Sequence, residues 1–104
     1  MIPVLLPALL AMQVTAASLV PSVIGVPFNC EDGTRLAATF FNPALGPGRV
    51  EIRFGGRAKK TILPQLPSAD GGRYGTQKVE LWSHGSRATL TRNGVATTCS
   101  ASRK

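Results

Sequence analysis

Turn signals recur so often in this chain that no stretch with helical periodicity is long enough to form a helix. From Pro27 onward, Asp32-Gly33, Asn42-Pro43, Gly46-Pro47-Gly48, Gly55-Gly56 and Asn93-Gly94 punctuate short β-prone runs. Runs of about 4–8 residues between such signals are the lengths of strands. Their patterning agrees. Leu36, Ala38 and Phe40 share one face while Ala37, Thr39 and Phe41 take the other, and Val50-Glu51-Ile52-Arg53-Phe54 alternates apolar with charged. Gly55-Gly56 reads as a two-residue hairpin turn, because both positions accept positive φ without steric cost. The returning strand is expected over Arg57 to Leu63, ended by Pro64 and Pro67. Val79 and Leu81 then alternate with Lys78, Glu80 and Trp82. Arg87 to Arg92 and Val95 to Cys99 flank Asn93-Gly94, the strongest short hairpin signal. The fold class expected is all-β, a small antiparallel β-barrel of about eight short strands, since closure removes exposed edges.

At 104 residues the chain holds one domain at most. Residues 2–17 carry no charge, Val4 to Met12 is nearly all apolar, and Thr15, Ala16 and Ala17 are small. That is the pattern of a secretory signal over 1–17, although no Lys or Arg precedes the apolar run. The run is shorter than the ~20 residues of a spanning helix. Pro3 and Pro7 would break the first turns of a buried one. The division expected is a leader over 1–17, an N-terminal segment over 18–26 and the barrel domain over 27–104. A domain so small commonly needs a covalent staple. In an exported protein Cys30 and Cys99 most simply form one disulfide. Two thiols and one distant histidine lack the ligand count of a zinc site. Cys30 lies in Phe28-Asn29-Cys30-Glu31, not directly after the small residues of the leader, so no lipid anchor is expected and a protein soluble in an oxidising envelope compartment is.

Every Lys and Arg follows Ala17, so the net charge of +7 belongs to the mature domain. Such a balance favours anionic partners. The cations are spread out, however, and only Arg57, Lys59 and Lys60 cluster, which is the pattern of a solvated surface. Catalysis finds little support. His84 is the single histidine, and a Ser68, Asp70 and His84 grouping has no elbow or oxyanion motif around it. The five carboxylates are scattered, with no pair for glycosidase chemistry. Gly71-Gly72 lacks the following helix of a phosphate loop. Trp82, Phe28, Phe40 and Phe54 could stack bases, but as strand residues of a small barrel they are expected in the core. Trp82 in particular is expected to be largely buried. No catalytic residue, cofactor, metal or nucleic-acid partner is expected.

The ordered set Phe28-x-Cys30, Asp32-Gly33, Phe40-x-Asn42-Pro43, Ser68-x-x-Gly71-x-Arg73-Tyr74, Leu81-Trp82-Ser83-x-Gly85, Ala88 and Cys99 resembles the bacterial inhibitors of c-type lysozyme, which have membrane-bound and periplasmic forms. The resemblance runs from about Pro27 to Cys99 and implies the same disulfide. It also implies that an S-x-S-G-x-x-Y loop enters the lysozyme cleft, helped by a Lys in a Trp-x-Lys-Gly segment. By that resemblance the lysozyme contacts are Ser68, Asp70, Gly71, Arg73, Tyr74 and His84, with Trp82 keeping the frame. Asp70 stands where the family has its second serine, and His84 where it has lysine. A lysozyme cleft holds two carboxyl groups, so Asp70 adds a third. Inhibition is therefore expected to tighten as His84 gains a proton toward pH 5. The resemblance narrows the envelope compartment to the periplasm, and the partner implied is c-type lysozyme, with no membrane anchor and a monomer or homodimer. The competing reading is a basic envelope module of the same fold that binds an anionic polymer such as lipopolysaccharide, glycan or DNA.

Overall fold

A computed structural model describes residues 22–102, so the leader expected over 1–17 lies outside the described residues. Eight strands follow in order: β1 (Ser22–Cys30), β2 (Arg35–Asn42), β3 (Arg49–Phe54), β4 (Thr61–Leu66), β5 (Gly72–Gly75), β6 (Val79–His84), β7 (Arg87–Arg92) and β8 (Val95–Ala101). Each pairs antiparallel with the next, and β8 returns to β1 to close the barrel. This is the fold class that the alternation implies. The expected segment 18–26 is described from Ser22, where it forms the first part of β1 paired with β2.

Period-two patterning becomes register. Leu36, Ala38 and Phe40 of β2 are buried and lie opposite Phe54, Ile52 and Val50 of β3. Leu63, Leu81 and Leu90 complete the centre with Phe28 and Tyr74. Each such side chain contributes on the order of 1.5–3 kcal/mol when withdrawn from water. Asn93 (φ 50°) and Gly94 (φ 82°) both have the positive φ of a primed turn, which sets the Arg92↔Val95 register of the last hairpin.

Two expectations are corrected here. β4 begins at Thr61 rather than Arg57 and runs through Pro64 to Leu66. Residues 57–60 are exposed and offer the core little to bury, whereas Leu63 is fully buried. Pro64 is tolerated beside Arg49, the first residue of β3, where Gln65 N–H supplies the next bond to Gly48 O at 3.0 Å. The end of the S-x-S-G-x-x-Y loop that the resemblance implies is strand and not loop, because Gly72–Gly75 forms β5.

The closing seam is narrow. β1 and β8 share three register pairs, Phe28↔Ala101, Asn29↔Ser100 and Cys30↔Cys99, whereas β1 and β2 share eight. Cys30 and Cys99 are joined by the expected disulfide across that seam. With a sequence separation of 69, the tie stabilises the fold by ~4 kcal/mol in the chain-entropy model. Up-and-down order sends the connections alternately to two ends. Loops 43–48 and 67–71 and turn 85–86 lie at one end, called the rim here. Segments 31–34, 55–60, 76–78 and 93–94 lie at the other.

Candidate functional site at the barrel rim

The β5–β6 register, Gly72↔Ser83 and Arg73↔Trp82, sets loop 67–71 beside the turn that follows His84. Loop 67–71 is tied to itself and to the wall. Ser68 Oγ donates to Asp70 O at 2.6 Å and accepts from Asp70 N–H at 3.2 Å. Trp82 Nε1–H donates to the same carbonyl at 2.8 Å. With its backbone fixed in this way, Asp70 places Oδ2 3.7 Å from His84 Nδ1, and both side chains remain exposed. The imidazole lies beside the Trp82 ring, with centroids 5.3 Å apart.

Gly71 is required by both conformation and space. Its φ is +70°, and a Cβ there would run into the carbonyl oxygen of Ser83 and come within 3.0 Å of His84 Nδ1. Left-handed backbone of this kind suits glycine because it has no Cβ. Behind the loop, Arg73 Nε and Nη2 donate to the two oxygens of Glu80 at 2.8 and 3.3 Å. That bidentate bond raises the Arg73 pKa above its ordinary value, with the Glu80 charge adding to it. The guanidinium also sits 5.4 Å from the Trp82 ring centroid. Tyr74 points inward, only 4% exposed, and packs on Phe40 at 5.5 Å between centroids. Burial pushes its hydroxyl pKa up.

Of the contact residues that the resemblance implies, Ser68, Asp70, Gly71 and His84 therefore come together on the exposed rim. Arg73 lies on the outer wall behind them, and Tyr74 lies inside the barrel. The expectation of a largely buried Trp82 is corrected. Leu81 takes the inward position at 0% exposure, so Trp82 is on the outer face, half-buried between Arg73 and His84. Its contribution is the indole bond that holds Asp70. Two supporting residues were missed, Glu80 and Ser83. Ser83 Oγ donates to Gly72 O at 3.3 Å. Opposite charges at Arg73 and Glu80 on paired strands were the signal for the first; the second is marked only as a member of the Leu81-Trp82-Ser83-x-Gly85 pattern.

Chemically, the rim offers an exposed carboxylate and an exposed imidazole side by side. The Ser68 hydroxyl is engaged with the Asp70 backbone and not with the imidazole, so the three polar residues do not assemble a nucleophile and base. Among the described residues, no group of three or more His, Cys, Asp or Glu could hold a metal.

The pattern of the family described as membrane-bound lysozyme-inhibitor of c-type lysozyme matches residues 28–98. Among solved structures, the fold is similar to Pseudomonas aeruginosa MliC in its crystal structure in complex with hen egg white lysozyme. The TM-score is 0.68 at 19% sequence identity, over 81% of this chain and 86% of that one. No curated protein sequence matches the chain significantly.

Proposed function

We propose a function from the premise that the chain belongs to the family of membrane-bound inhibitors of c-type lysozyme, whose pattern spans residues 28–98: it inhibits a c-type lysozyme by seating its rim in the active-site cleft. The observation that carries this reading is the convergence of loop 67–71 and His84, with Asp70 and His84 3.7 Å apart and open to solvent. Ser68, Asp70, Gly71 and His84 make the contact, while Arg73 and Tyr74 act from behind by fixing the loop. The chain acts on an enzyme as a binding protein; it has no catalytic residue of its own and works as a soluble protein of the periplasm.

The two substituted positions give this inhibitor its own electrostatics. A lysozyme cleft already contains two carboxyl groups. A third, on Asp70, is repelled once water is excluded. A proton on His84 compensates the Asp70 charge and turns the rim toward neutrality. Binding is therefore weak at neutral pH and tightens toward pH 5.

The test is the Kd for a c-type lysozyme, measured calorimetrically with the oxidised protein at pH 5 and 7.5. Wild type should bind more tightly at pH 5, whereas Asp70→Ser combined with His84→Lys should bind more tightly than wild type at pH 7.5 and with a flatter pH dependence. Equal wild-type affinity at the two pH values, or a double variant weaker than wild type at pH 7.5, removes these residues from the contact. Absence of binding at either pH removes the function.

A further inference from the structure

Away from the rim, the outer wall carries a second concave surface. At the base of β1, β2 and β3, a groove is lined by Arg35, Arg53 and Arg57, with Pro27, Ala37 and Ala58 along its floor and no carboxylate among its lining residues. The backbone fixes this grouping. Gly55 and Gly56 turn with φ of 53° and 77°, and Gly55 N–H donates to Arg35 O at 2.8 Å. Arg57 N–H then donates to Phe54 O at 2.9 Å, so the chain returns over β2 and Arg57 joins Arg35. Arg53 faces the same side, across from Ala37 in the β2–β3 register.

These arginines are free to bind. Glu51, the carboxylate two residues from Arg53 on β3, is shared by Arg49 and Lys60 at 3.2 Å each. Asp32 is directed elsewhere, accepting from Thr34 N–H at 2.9 Å and lying within the field of Arg92. Among the described residues, none of Arg35, Arg53 and Arg57 makes an ion pair, and all three are exposed. A guanidinium offers two parallel donors to a phosphate, which suits this trio to phosphate oxygens better than three lysines would be.

We propose that this groove docks the barrel on a membrane surface rich in anionic phosphate headgroups, with Arg35, Arg53 and Arg57 on the phosphates and the rim turned away from the lipid. The small apolar floor lets headgroups approach without desolvating another charge. A duplex polyanion needs a longer basic track, because its phosphates repeat along the whole strand. On this face the adjoining groove adds only Arg92 to Arg35 and Arg57, so the basic patch stays short. The geometry also suits the proposed function, since a barrel held by this end keeps loop 67–71 exposed to the solution.

Vesicle co-sedimentation tests the proposal without lysozyme, so it can fail while the inhibitory reading stands, and the reverse. Wild type should bind phosphatidylglycerol–phosphatidylcholine vesicles, should not bind phosphatidylcholine alone, and should release as salt rises. Arg35→Gln with Arg57→Gln should weaken binding on the order of 30-fold, from the roughly fivefold that each basic residue contributes at such a surface. Arg49→Gln with Arg87→Gln removes the same formal charge elsewhere and should change it little. Should the first pair fail to fold, Arg53→Gln alone should still weaken binding about fivefold. Equal weakening by the two pairs would show attraction by the whole protein and overturn the groove. Absent vesicle binding, or tighter binding to duplex DNA than to vesicles, overturns the membrane assignment.

Discussion

At the rim, loop 67–71 is fastened by three hydrogen bonds that involve Ser68, Asp70 and Trp82, and it presents one carboxylate beside the imidazole of His84. At the opposite end, loop 55–60 turns on two glycines and leaves Arg57, Lys59 and Lys60 exposed. One end holds a few groups in fixed positions, while the other gathers charge. The net charge of +7 is therefore a poor description of the face that meets a partner. Strands of this length span ~20 Å, more than two Debye lengths at 0.15 M salt, so cations at the far end are largely screened from a protein bound at the rim. The far-end cations therefore add little to the field that a protein meets at the rim.

The largest expected effect should fall on both ends alike. Cys30→Ser removes the tie across a seam of three register pairs and should lower stability by ~2–5 kcal/mol, measured by denaturant unfolding. If it weakens lysozyme binding but leaves the melting temperature unchanged, the disulfide serves the rim alone. A sharper contrast comes from two glycines with positive φ. At Gly71 an alanine meets both the conformational cost and the Ser83 carbonyl, for ~2–3 kcal/mol and a displaced Asp70. At Gly55 a Cβ would meet nothing within 4 Å, which leaves only the ~1–2 kcal/mol conformational cost. Lysozyme affinity should fall for Gly71→Ala and hold for Gly55→Ala. Equal loss in the two variants would mean that the rim is no more exacting than the far end.

The smallest effect is on acid stability, and it should arise away from the rim. Hydrogen bonding to Lys60, and then to Arg49, holds the Glu51 pKa below its ordinary value, and the Thr34 backbone bond does the same for Asp32. Both carboxylates are more acidic folded than unfolded. The stability they contribute is present above the unfolded values and is lost as pH falls through the folded ones. The melting temperature should therefore decline below about pH 4, and Glu51→Gln should flatten that decline. A decline unchanged in Glu51→Gln would assign the acid sensitivity to other groups.

The wall was largely legible in the sequence, because one buried face imposes strict alternation on Leu36-Ala38-Phe40 and Val50-Ile52, and Asn93-Gly94 encodes its own turn. β4 was misplaced because Ala58 and Ile62 imitate an inward face that Leu63 in fact occupies. Ser22 to Val26 has apolar residues at both parities, and its strand shows only through pairing with β2. Trp82 follows its parity with Glu80 on the outer face, which aromatic type alone does not reveal. At the site, the residues were named through the family pattern alone. The Asp70–His84 contact depends on how loop 67–71 folds against β6, and no local propensity specifies that.

The strictly sequential order of the barrel also bears on how it forms. Seven of its eight strand pairings join neighbours in the chain, so each can form as a hairpin or by adding to one, with a short loop to close. Only the β1–β8 pairing must recruit the two extremities of the fold. Cys30 and Cys99 meet there, so their encounter waits on a nearly assembled wall and oxidation traps a product already in register. The disulfide thus acts as a latch across the one seam of the cylinder that chain connectivity does not hold together.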